Sequence, residues 1–221
     1  MTTGRAALNA RLQCYAITDQ ASAQGRDDLA VAVGLLAGGS TCLQYRAKKV
    51  DAREQWRVAS RLRGLAREAG ALFIVNDRVD LALACGADGV HLGQDDLPPA
   101  AARALARSAG RPDLIIGLST HSLGQALAAQ DDGVDYIGCG PLWATQTKEN
   151  NVPPLGLETL ETVLGAVGMP VVAIGGIKLQ HLDALARCGA RHCAIVTALT
   201  SAADIAAAAA EHWGRWRAAQ A

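Results

Sequence analysis

Residues 86–93, GADGVHLG, open with a glycine-containing turn and run straight into a short apolar segment. The same shape returns at 132–140, DGVDYIGCG, and at 189–196, GARHCAIV. A turn feeding directly into a buried strand, used three times, points to one supersecondary unit employed repeatedly. Similar apolar runs set the expected strands at 12–17, 41–45, 71–75, 88–92, 113–117, 134–138, 170–174 and 191–196. Between them lie Ala-, Leu- and Arg-rich stretches with helical spacing. In 51–69, for example, Trp56, Ala59, Leu62 and Leu65 or Ala66 recur at three and four residues. Strand–helix alternation predicts a parallel sheet with helices outside it. Eight such units in 221 residues match a single-domain α/β chain closed as a (β/α)8 TIM barrel. A doubly wound open sheet is the alternative, because spacing alone does not show closure. The first ten or so residues precede the first unit and are expected to be disordered. One long loop is expected, 139–155 (CGPLWATQTKENNVPPL), and an irregular stretch of that length in a compact domain signals function.

Composition narrows the classes of partner. Lys and Arg together number 21 and Asp and Glu also 21, so no net field favours nucleic acid or an anionic membrane surface. No apolar run reaches the roughly 18 residues of a membrane helix, and the N-terminus lacks an apolar signal segment. Six cysteines form no C-x-x-C pair and read as buried reduced thiols, which points to the cytoplasm. Arg53, Arg57, Arg61, Arg63 and Arg67 read as a solvated helix face. The sequence leaves both a monomer and a homo-oligomer open.

Parallel barrels and open sheets both keep their chemistry beyond the carboxyl ends of the strands. The polar residues at those positions in this chain form a coherent set. After the first strand come Thr18 and Asp19; the second delivers Gln44, Arg46 and Lys48 in alternation. The third ends in Asn76 and Asp77 (IVNDRVD, 74–80), the fourth in Gln94, Asp95 and Asp96 (GVHLGQDD, 89–96). The fifth leads to Ser119 and His121, and the sixth to Thr145, Gln146, Thr147 and Lys148. The last two end at Gly175-Gly176 and Val196-Thr197. Arg46, Lys48 and Lys148 have no obvious carboxylate neighbours in sequence and would suit a polyanion such as pyrophosphate. Asp77 and Asp96 are hard oxygen donors; with phosphate oxygens they would make a Mg²⁺ site. The glycine pair and Val196-Thr197 match the phosphate site that barrels often build after strands seven and eight.

Each of these has a plainer reading. Asp95-Asp96 before LPPA could cap a helix, the glycine pair could be a turn, and Lys48 could be a surface lysine. His91 reads as an ordinary strand residue, and the five histidines show no metal-binding spacing. No Ser–His or Cys–His nucleophile pairing is evident. The plain readings weaken together, since every strand end would have to carry its polar residues by chance.

YAITD (15–19), LQYRAK (43–48), VNDRVDLALACGADGVHLGQDD (75–96), IGLSTHS (116–122), DYIGCGPLWATQTK (135–148) and VVAIGGI (171–177) resemble thiamine-phosphate synthase. The resemblance runs in order from residue 14 to about 199. It implies a (β/α)8 barrel that joins 4-amino-2-methyl-5-(diphosphooxymethyl)pyrimidine to 4-methyl-5-(2-phosphoethyl)thiazole or its carboxylated form, with Mg²⁺ as cofactor and pyrophosphate released. By motif, Gln44, Tyr45, Arg46, Ala47, Lys48, Asn76, Ser119 and Lys148 would bind the pyrimidine diphosphate, and Asp77 and Asp96 the Mg²⁺. Thr145, Gln146, Thr147, Gly176, Val196 and Thr197 would take the thiazole phosphate. Ser119, Lys148, Arg46 and Lys48 would carry the catalysis, a dissociative substitution. Thr197 stands where a serine is common and Gln146 where an acid is frequent. Trp213 and Trp216 in the tail match no functional motif and are expected to pack the last helix on the barrel or on a partner subunit. A related thiazole tautomerase, with His121 where that relative carries its catalytic histidine, and a non-catalytic phosphate-ligand sensor are the rival readings.

Overall fold

The computed structural model describes residues 2–48, 50–145 and 153–221. Eight strands form: β1 (Cys14–Ile17), β2 (Cys42–Tyr45), β3 (Leu72–Asn76), β4 (Gly89–Leu92), β5 (Ile115–Thr120), β6 (Tyr136–Cys139), β7 (Val171–Ile174) and β8 (His192–Ile195). Every neighbouring pair is parallel, and β8 pairs with β1, so the sheet closes into a barrel in chain order. The open-sheet alternative is thereby excluded. The first ten or so residues, expected to be disordered, are described from Thr2 onward as part of helix α1 (Thr2–Leu12). Leu12 is fully buried, and Leu8 packs with it against the interior cluster, so the segment shields one end of the barrel.

Helices follow the strands in turn: α2 (Asp28–Ala37), α3 (Ala52–Glu68), α4 (Val79–Ala84), α5 (Pro99–Ser108), α6 (Leu123–Asp131), α7 (Gly156–Ala166), α8 (Leu182–Arg187), α9 (Thr197–Thr200) and α10 (Ile205–Ala219). Several start where sequence supplies a cap: Asp27, Asp51, Ser122 and Asp204 each accept a backbone N–H of the first turn. Trp213 and Trp216 on α10 are fully buried. Their indole N–H groups donate to Ser40 Oγ at 2.9 Å and to the Gln13 carbonyl at 3.0 Å. The tail thus packs on its own barrel. Gly38 lets it approach: a Cβ there would lie 2.4 Å from that of Ala209. All six cysteines are free, as expected.

Two apolar layers result from strand alternation. Leu43, Tyr45, Phe73, Val75, Val90 and Ile116 face outward to the helices, while Tyr15, Ile17, Cys42, Leu72, Ile74, Tyr136 and Val172 fill the barrel. That interior is not wholly apolar. Glycine occupies interior positions of three adjacent strands, Gly89, Gly117 and Gly138, and the freed volume is taken by Ile74 and Ile115, by Tyr136 and by His91. A Cβ on Gly117 would sit 2.2 Å from Cζ of Tyr136. Gly117→Ala is therefore expected to destabilise by about 3 kcal/mol or more, the upper range for overpacking. Denaturant unfolding measures it; a loss below ~1 kcal/mol would mean Tyr136 has room to move.

Candidate active site

At the carboxyl ends of the strands the polar residues line up in barrel order. Asp19 follows β1, Arg46 β2, Asp77 β3, Asp96 β4, and Ser119 lies within β5, which runs three residues further than the sequence pattern indicated. Gly175-Gly176 follows β7, and Val196-Thr197 follows β8. Gln146, Thr147 and Lys148 lie outside the described residues, as does much of the expected 139–155 loop.

Neither key carboxylate is a helix cap. Helix α5 has Pro98 as its N-cap, with no side-chain cap, and α4 has Arg78. Asp96 Oδ2 instead accepts the Gly93 N–H at 2.6 Å, which fixes the carboxylate at the end of β4. Asp77 sits in the left-handed region, at φ 63°. That conformation is uncommon outside glycine and clusters at functional sites; Asp and Asn bear it best. Its N–H donates to the His91 carbonyl at 2.8 Å, which extends the β3–β4 ladder past its last paired residues. The two aspartates thus rise from neighbouring strands. Among the described residues no three His, Cys, Asp or Glu side chains cluster as a metal cage. Two carboxylates on adjacent strands, with substrate and water oxygens completing the shell, fit Mg²⁺, which is rarely held by protein alone.

Arg46 has no carboxylate neighbour in sequence, but the fold gives it one 27 residues away: Nη1 lies 2.6 Å from Asp19 Oδ1, both side chains nearly buried. The Arg46 N–H also donates to Thr18 Oγ1 at 3.2 Å. Lys48 is exposed beyond the end of β2. Gln44 faces the barrel interior, but the Tyr45 side chain and Ala47 pack in the outer layer against the helices. Strand alternation requires this, so those two can meet a ligand only through their backbone. Val196 packs on the edge of the interior cluster, and Thr197 is exposed.

Behind the mouth runs a buried chain of hydrogen bonds. Gln44 Nε2 donates to the Tyr15 hydroxyl at 2.7 Å, which meets the Tyr136 hydroxyl at 2.9 Å. That hydroxyl bonds His91 Nδ1 at 2.9 Å, and His91 Nε2 meets Ser119 Oγ at 3.0 Å. Burial pushes both phenols well above their ordinary pKa, so they stay neutral. The Ser119–His91 contact is a Ser–His pairing that spacing had hidden. It does not have the makings of a nucleophile: the far nitrogen of His91 bonds a neutral phenol, whereas an activating triad sets a carboxylate there to stabilise the imidazolium. The chain orients Ser119 and presents fixed donors and acceptors at the barrel floor. Tyr15, Tyr136 and His91 were missed as site residues. The only signal was strand alternation, accompanied by interior glycines on β4 and β6 but not on β1.

On the opposite rim, Gly175 and Gly176 adopt φ 97° and 66°. A Cβ on Gly176 would lie 2.8 Å from that of Trp143 and 2.7 Å from the Ala144 carbonyl oxygen. The glycine pair therefore lets the segment after β6 fold onto the end of β7. Trp143 stacks on His181 with ring centroids 4.1 Å apart. His121 turns aside: its Nδ1 bonds the Gly140 carbonyl, and its N–H donates to Gln125 Oε1 at 2.7 Å.

Comparison with known proteins gives a consistent result. The family model described as thiamine monophosphate synthase matches residues 14–199. A thiamine-phosphate synthase of Pelotomaculum thermopropionicum is 47% identical over 193 residues, 87% of each chain. One from Chloroflexus aurantiacus is 45% identical over 195 residues, 88% of each. The solved thiamine phosphate pyrophosphorylase from Pyrococcus furiosus superposes with a TM-score of 0.88 at 36% identity, covering 97% of this chain and 100% of that one. A 3-hexulose-6-phosphate synthase, 17% identical with a TM-score of 0.66, shares the barrel alone.

Proposed function

The chain belongs to the thiamine monophosphate synthase family, and from that premise we propose how its barrel mouth carries out the coupling. The activity is thiamine-phosphate synthesis: a pyrimidinylmethyl transferase that releases pyrophosphate. The observation that carries the reading of the site is the ring of strand-end groups from Asp19 round to Thr197, with paired aspartates on adjacent strands beside a nearly buried arginine.

In this reading the pyrimidine lies over the barrel floor against Ser119, oriented by the Gln44–Tyr15–Tyr136–His91 chain. Its diphosphate faces Arg46, Lys48, Asn76 and Lys148. Asp77 and Asp96 would hold Mg²⁺, which when bound neutralises charge on the departing pyrophosphate. The amine-bearing ring delocalises the cation left as the C–O bond breaks, so substitution is dissociative, and the protein's work is electrostatic and positional. Thr145, Gln146, Thr147, Gly176, Val196 and Thr197 would fix the thiazole phosphate so that its ring nitrogen meets that cation. The chemistry and the free cysteines suit a cytoplasmic enzyme of small-molecule substrates. No helix among the described residues is long and apolar enough to cross a membrane.

Pyrophosphate release from the two synthetic substrates, strictly dependent on both, tests the activity. The tautomerase reading turns on His121. In a synthase, His121→Ala leaves coupling within about tenfold of the parent, because no proton moves at that position in the substitution. A loss as deep as that from removing an aspartate would favour the tautomerase.

A further inference from the structure

We propose that Asp19, Ser22 and Thr200 form a hydrogen-bonded link that couples the two anion pockets, so that filling one strengthens binding in the other. It rests on the assignment of Arg46 to the diphosphate and of Val196-Thr197 to the monophosphate. Those residues follow β2 and β8, and β1 lies between these strands in the closed barrel. Asp19, at the end of β1, touches both sides. Its Oδ1 holds Arg46 Nη1 at 2.6 Å, and its Oδ2 accepts the Ser22 hydroxyl at 2.9 Å. Ser22 Oγ in turn lies 2.6 Å from Thr200 Oγ1.

The direction of the chain is set by chemistry. The carboxylate can only accept, so the Ser22 proton goes to it, and the Thr200 hydroxyl then donates to Ser22 at 2.6 Å in preference to its other acceptor, the Val196 carbonyl at 3.3 Å. Donors aligned in series toward one charge polarise one another. Asp19 and Thr200 are buried, at 5% and 0% exposure, and Ser22 between them is partly buried, which limits exchange of these bonds with solvent. Thr200 is one helical turn from the phosphate end of the site: its N–H donates to the Val196 carbonyl at 3.0 Å, and the Ser201 N–H to that of Thr197 at 3.1 Å. The loop after β1 is further riveted to α9. Arg26 donates to the Thr200 carbonyl at 2.9 Å and to that of Ala202 at 2.8 Å, and Gln24 donates to that of Ser201 at 2.8 Å. Loop and helix turn therefore move as one body, and the hydroxyl relay joins that body to the arginine. An anion drawing on Arg46 changes its pull on Asp19, and that change reaches the turn carrying Val196 and Thr197. Either ligand then orders elements the other needs, which is a coupling free energy and must be reciprocal.

Calorimetric titration of the thiazole phosphate, alone and with saturating Mg²⁺-pyrophosphate, reads the coupling directly. In the parent enzyme pyrophosphate is expected to tighten thiazole phosphate binding by about fivefold or more, the lower end of ordinary allosteric coupling. Thr200→Val keeps the shape and removes the hydroxyl; the ratio should fall to about twofold or less, and Thr200→Ser should restore it. Ser22→Ala, at the middle of the relay, should match Thr200→Val. A ratio of one or below in the parent, or an unchanged ratio in both hydroxyl-deleted variants, overturns the link while leaving the site assignment standing. Failure of either ligand to bind the parent alone overturns the site assignment, and the link with it.

Discussion

Asp77→Asn and Asp96→Asn are each expected to lower turnover by roughly 10²–10³-fold, the scale of losing one preorganised electrostatic contact to developing charge. The fold should persist in both. Asp77 occupies a left-handed conformation, and asparagine tolerates that backbone as well as aspartate does. Asp96 accepts one backbone N–H, and an asparagine carbonyl can accept it equally. Each substitution thus removes charge and leaves shape, so the thermal midpoint should move by no more than about 2 °C. Chelation of the parent should abolish turnover, and Mg²⁺ should restore it. Full activity of either variant in metal-stripped buffer would remove the metal from this account.

Arg46→Met should lose both activity and stability, and the two losses can be pulled apart. Turnover is expected to drop by about 100-fold or more, since the charge on the leaving group grows in the transition state and the cation facing it is gone. Stability is expected to fall by about 3 kcal/mol, because the nearly buried Asp19 is left with its charge uncompensated. In the double variant Arg46→Met/Asp19→Asn most of the stability should return and none of the turnover. Recovery of turnover would show that Arg46 serves only to neutralise Asp19. Unchanged stability in the single variant would show that solvent reaches the pair more freely than its burial indicates.

Periodicity made much of this protein legible. Eight apolar runs separated by helical stretches specified eight parallel strands, because a buried strand must be apolar on both faces and a parallel connection needs a crossover. All eight form within a few residues of where the pattern put them. The site was legible for a related reason: a strand end is where a buried chain first meets water, so polar residues recurring there are conspicuous. Asn76, Asp77, Asp96, Ser119 and Thr197 were placed at the strand ends in this way, where the structure has them, and ordered motifs supplied the proposal of what they would bind.

Closure of the sheet, by contrast, depends on β8 meeting β1, a contact between residues 14–16 and 193–195 that no local pattern encodes. The same holds for every interaction that crosses the barrel. Asp19 and Arg46 are far apart in sequence, as are Ser22 and Thr200, and Tyr15, Tyr136 and His91. Ser22, Thr200, Tyr15, Tyr136 and His91 looked ordinary in their own strands or loops, and nothing local tied Asp19 to Arg46. Sequence alone determined which residues turn inward and which stand at the mouth, because those follow from the two-residue repeat of a strand. Which inward residues touch was decided only by the tertiary structure, because barrel curvature and the space left by Gly117 and Gly138 bring side chains from non-adjacent strands into hydrogen-bond range.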